Sequence, residues 1–66
     1  MKGPLTKPTV KLVGEDGNAF SIMAHVKQAL RRAGADKEYI DKYLNAATSG
    51  DYGYLLAVSM EYVNVE

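Results

Sequence analysis

No cysteine occurs in this 66-residue chain, which excludes disulfides and thiolate metal sites and fits a reducing cytosol. No apolar run approaches the ~18 residues of a membrane span. Met1 to Pro8 also lacks the apolar block of a signal peptide. Net charge is absent too: eight basic residues balance eight acidic ones, so the chain as a whole has no pull on a polyanion or an anionic membrane. What remains is an ordinary mixed composition, 47% hydrophobic and 24% charged, which is not that of a disordered chain. A chain of this length forms one domain and buries only about 60% of its unfolded surface.

The charges are unevenly placed. Residues 1–34 hold six basic side chains against Glu15 and Asp16, whereas residues 35–66 hold Lys37 and Lys42 against six acids. Such a split marks either a binding face or two halves that attract each other across the fold. Screening of exposed charges makes the second reading the default.

Residues 1–8, with Gly3, Pro4 and Pro8, have no periodicity and read as a flexible tail; residues 9–66 read as the domain. Thr9 to Val13 is β-branched and partly alternating, as a strand requires. Gly14 to Asn18 is a turn cluster ending in a good helix N-cap, Asn18. Its Asp-Gly pair also suits a hairpin returning along Ala19 to Ile22, but the helical period beyond it favours a helix. Ile22, Met23, Val26, Ala29, Leu30 and Ala33 share one arc of that first helix. Phe20 falls off the arc and is expected to fold back over the strand. Gly34 stops the helix, and Asp36 caps a second one with Ile40, Tyr43, Leu44 and Ala47 inward. Glu38 and Lys42 are spaced for a surface ion pair on its other side. Thr48 to Asp51 ends the second helix and caps the third.

The third helix, Tyr52 to Tyr62, carries two apolar stripes, Leu55, Val58 and Tyr62 beside Leu56, Met60 and Val63. An arc near 200° is wider than a surface helix needs. Either the helix is central or the second stripe meets a partner. Val63 to Glu66 alternates and pairs naturally with Val10 to Val13. The predicted fold is a small single α+β domain in β-α-α-α-β order, with a two-stranded sheet on a helical layer.

The stretch from Val10 to Ile22, VKLVGEDGNAFSI, resembles the opening of a family of short proteins encoded in bacterial phages, prophages and mobile elements. The similarity continues through Ala29 to Gly34 and Ala47 to Tyr52, and covers Val10 to Glu66. The resemblance implies a small accessory protein of a bacterial or viral setting, cytoplasmic, and lends no catalytic residues. In that family acidic or histidine residues often follow the position of Tyr52, where this chain has Gly53 and Tyr54.

No catalytic, metal or cofactor site is expected. His25 can touch Ser21 at i−4, and Asp16 or Asp51 nominally completes a triad, but so short a chain leaves little room for an oxyanion hole and pocket. A solvated helix-face histidine is the simpler reading. Glu15, Asp16, Asn18 and Ser21 cluster oxygen donors without the calcium-loop spacing. Gly14 and Gly17 flank a strand-to-helix turn, yet no phosphate-loop pattern is present and the acids between them repel phosphate. Nucleic acid has more support: Lys27, Gln28, Arg31, Arg32 and His25 share the polar face of the first helix. The third helix, the recognition helix of a helix-turn-helix reading, has no Lys or Arg. Five tyrosines favour a protein interface. The candidate interface is therefore Leu56, Met60 and Val63 with Tyr39 and Tyr54. The expected role is a non-enzymatic protein-interaction or self-associating module, with auxiliary nucleic-acid or anion binding through the first helix as the alternative. Neither a membrane nor a small-molecule substrate is expected as partner.

Overall fold

Three side-chain caps and one glycine set the helix limits in the computed structural model, which describes residues 1–11 and 18–66. The order is β1 (Thr9–Val10), α1 (Ala19–Arg32), α2 (Lys37–Ala47), α3 (Tyr52–Tyr62) and β2 (Asn64–Val65). This is the predicted β-α-α-α-β domain. Asn18 Oδ1 accepts from the Phe20 N–H at 2.8 Å, Asp36 Oδ1 from Tyr39 at 2.8 Å, and Asp51 Oδ1 from Tyr54 at 2.9 Å. Each carboxylate or amide satisfies a donor that the first helical turn leaves open. At the other end of α1, Gly34 takes φ 102°, which a side chain would resist. Ala35 N–H then reaches the Leu30 carbonyl at 2.9 Å and Gly34 N–H the Arg31 carbonyl at 3.1 Å, a Schellman closure.

The two strands are parallel, with Thr9 opposite Asn64 and Val10 opposite Val65. Parallel neighbours need a long crossover, and the three helices supply it. Asn64 N–H donates to Pro8 at 2.8 Å and Glu66 N–H to Val10 at 2.9 Å. Of the strand expected over Thr9 to Val13, Thr9 and Val10 form β1 and Lys11 is not part of it; Leu12, Val13 and Gly14 to Gly17 of the expected turn lie outside the described residues.

Val26, Leu30, Ile40, Tyr43, Leu55 and Val63 form the centre of the core. Its one buried polar side chain among the described residues is Ser59. Ser59 Oγ and the Tyr43 hydroxyl share a hydrogen bond of 2.7 Å, so neither polar atom is stranded in the interior. Burial pushes the Tyr43 phenol above its ordinary pKa, while the Ser59 bond partly offsets that rise. Tyr62 packs edge-on against Tyr43 at 5.1 Å between ring centres and against Tyr39 at 5.6 Å.

Residues 1–8 hold no helix or strand, and they lie along the α1–α2 turn. Leu5 N–H donates to the Ala33 carbonyl at 2.9 Å, and Asp36 N–H to the Lys2 carbonyl at 2.9 Å. Asp36 Oδ2 in turn accepts from the Lys2 N–H at 2.8 Å. Gly3 sits so close to Tyr39 that a Cβ there would come within 3.0 Å of the ring. The surface pairing of Glu38 with Lys42 is not what forms. Glu38 instead meets the Met1 amino terminus at 3.1 Å, and the i,i+4 pair on α2 is Lys37 with Asp41 at 3.0 Å.

Removing one member of the buried pair should leave the other unsatisfied. Tyr43→Phe and Ser59→Ala are each expected to cost ~1–3 kcal/mol. The double variant should be less destabilised than the sum of the two. Strict additivity in thermal melts would show that the bond is not the relevant interaction.

The Asp36 carboxyl is held below its ordinary value of 3.8, first by the Tyr39 amide and further by Lys2. Its contribution is therefore fully present above the ordinary value and is lost as pH falls through the lower folded-state value. Melting temperature should drop more steeply on acidification below about pH 4 for the native chain than for Asp36→Asn. Parallel pH profiles would exclude Asp36 as the acid-sensitive group.

Candidate functional site

The outward side of α3 is the first candidate surface. The helix carries one charge, Glu61, in eleven residues. Leu55, Val58 and Ser59 point into the core and Tyr62 is half-buried. Facing solvent are Gly53, Ala57, Tyr54 at 47% exposure and Met60 at 58%, with Leu56 half-buried at their edge. The five predicted interface residues are not all there. Val63 is fully buried. It is the C-cap of α3, with φ −138° and ψ 159°, so the chain has already left the helix and the 100° wheel no longer places it. Tyr39 is half-buried against Tyr62. Leu56, Met60 and Tyr54 remain available on α3.

The polar side of α1 is the second. Lys27, Gln28, Arg31 and Arg32 are all exposed, and with Ala24 they line an open hollow of about 450 Å³. Arg32 also borders a hollow of about 300 Å³ shared with Pro8 and Thr9. Among the described residues, ion pairs join Met1 with Glu38 and Lys37 with Asp41; none engages Lys27, Arg31 or Arg32. His25 stands apart from this group. It is half-buried, and its Nδ1–H donates to the Ser21 carbonyl at 2.7 Å.

A smaller apolar groove of about 250 Å³ lies where α1, α2 and α3 converge, lined by Met23, Ala47 and Leu55 with Phe20 and Tyr52. Phe20 does not fold over the strand as expected. At 79% exposure it projects into solvent from the first turn of α1. It and Tyr52 are the exposed aromatics that the sequence pattern did not single out. The outward position of Phe20 on the helical wheel was the available signal.

The nominal triad and calcium cluster are not assembled from the described residues. Asp51 is engaged as the α3 cap, and Glu15 and Asp16, like Gly14 and Gly17, lie outside those residues. No three described His, Asp or Glu side chains group as metal ligands. Comparison with known proteins adds nothing to this geometry: no family model, curated protein or solved structure matches the chain.

Val63 and Met60 should separate cleanly in stability. Val63→Ala is expected to cost about 2 kcal/mol through lost burial and a residual cavity. Met60→Ala, melted at high dilution, should stay within about 0.5 kcal/mol of the native chain. Equal losses at both positions would contradict the placement of Val63 inside and Met60 outside.

Proposed function

We propose that this chain is a small non-enzymatic interaction module that self-associates through the outer side of α3. The observation that carries this reading is the near absence of charge on the outer side of α3: Tyr54, Ala57 and Met60 face outward with the half-buried Leu56 at their edge, and Glu61 is the helix's sole charged residue. Surfaces that remain monomeric are usually interspersed with charge, and a net charge of zero removes the long-range repulsion that opposes association. A two-fold contact needs only one self-complementary patch. Gly53 and Ala57 leave room for close helix approach, and Met60 adapts its shape to a facing surface. An accessory role in the cytoplasm of a bacterial host, which the resemblance of Val10–Ile22 and Ala47–Tyr52 to short phage and mobile-element proteins implies, is part of the proposal. Among the described residues no helix is long and apolar enough to cross a membrane.

Light scattering of the native chain and Met60→Glu tests the reading. The native chain should show a dimer mass that falls to that of a monomer in the variant, with the fold retained. A native chain that stays monomeric at high concentration would overturn self-association.

A further inference from the structure

The geometry points to a second surface: α1 binds single-stranded nucleic acid, with Lys27, Arg31 and Arg32 on the phosphates and Phe20 as a stacking platform for a base. This surface is independent of α3. Phe20, Ala24, Lys27 and Arg31 recur at i, i+4, i+7 and i+11, so they form one stripe along the helix, about 16 Å from end to end. Phe20 is the most exposed aromatic of the described residues: it borders the apolar groove beside Met23 and Tyr52, yet stays 79% open to solvent. Ala24 keeps the middle of the stripe low, and the hollow beside it is floored by Lys27, Gln28, Arg31 and Arg32. An aromatic face beside a cationic track is the combination that holds an unpaired strand, since bases stack on the ring while the backbone follows the cations.

Charge complementarity selects the occupant. The acidic groups of α2 are engaged within the chain, Glu38 with the amino terminus and Asp41 with Lys37, while Asp36 and Asp51 accept from backbone amides. The cations of α1 have no such partners among the described residues. Among the described residues a second copy offers Glu61 and Glu66 as isolated carboxylates at the C-terminal end of the chain, whereas a phosphodiester strand offers a regular row of charges at the spacing of a continuous track. Insertion into an anionic membrane is disfavoured, because the apolar side of α1, Ile22, Val26 and Leu30, is buried in the core.

Fluorescence anisotropy with a labelled poly(dT) oligonucleotide provides the test. Three phosphates neutralised on a single strand give a log–log salt slope of about −2, or roughly 20-fold weaker binding between about 50 mM and 200 mM salt. Arg31→Gln with Arg32→Gln should flatten that slope. Phe20→Ala should weaken binding at least about fivefold without changing the slope, and Phe20→Trp should restore it. All three positions are on the surface, and circular dichroism melts verify that each variant folds. No binding at the lower salt overturns the proposal. So does equal affinity for duplex DNA, binding to phosphatidylserine vesicles but not to poly(dT), or indifference to Phe20→Ala.

Discussion

The packing of this domain turns on the hydrogen bond between Tyr43 and Ser59. Tyr43 is the largest fully buried side chain, and its hydroxyl crosses from α2 to α3 in an interior where an unmatched polar atom is costly. The bond fixes the register of the two helices, because sliding either by one residue would strand both oxygens. Tyr62 then rests on the Tyr43 ring, Tyr39 on Tyr62, and Gly3 on Tyr39, so one line of contact runs from the centre of the core to the N-terminal segment. For a chain with little surface to bury, a polar bond that specifies one arrangement supplements an apolar interior that would accept several.

Asp36 joins the outer end of that line to the helix framework. One oxygen caps α2 and the other holds the Lys2 amide, so a single carboxylate both starts a helix and ties down a segment 34 residues away. Glu38 adds the amino terminus. Asp36, Glu38, Asp41 and Asp51 are thus engaged on or beside α2 and at the start of α3. Among the described residues, the basic side chains of α1 are left without an ion-pair partner, despite a net charge of zero. Composition averages over a distinction that only placement reveals.

Local signals in the sequence sufficed for the three helices and their order. Asn18, Asp36, Asp51 and Gly34 each have a chemical preference strong enough to mark a boundary without tertiary help. Residues whose places depend on distant partners were not legible in that way. Ser59 belongs to neither apolar stripe of the third helix, and nothing local gives it a partner until Tyr43 is known to lie against it. Val63 reads as the end of a helical stripe, because nothing local announces that the backbone turns extended there. Phe20 reads as something to be buried, and its exposure is a property of the finished surface. The N-terminal contacts escaped for the same reason, since a stretch with two prolines and a glycine has no period from which a docking site follows.

The candidate surfaces differ in what part of the chain could be read. The α1 cations were visible at once, because charge at helical spacing needs no knowledge of packing. The α3 face emerged only after the core had taken Val63 and Ser59, which left a narrower patch around Met60 than the two-stripe pattern implied. These surfaces lie on different helices, so association through α3 need not obstruct α1. If two copies pair, each brings its own basic stripe, and one strand contacting both would gain through effective concentration rather than through new contacts. A single face with three cations, Lys27 and Arg31 on the stripe and Arg32 beside it, is weak at physiological salt, since every neutralised phosphate adds to the salt sensitivity. If both proposals hold, pairing through the sparsely charged α3 would be the physical means by which so small a basic face becomes an effective one, and the two surfaces would then act together rather than as alternatives.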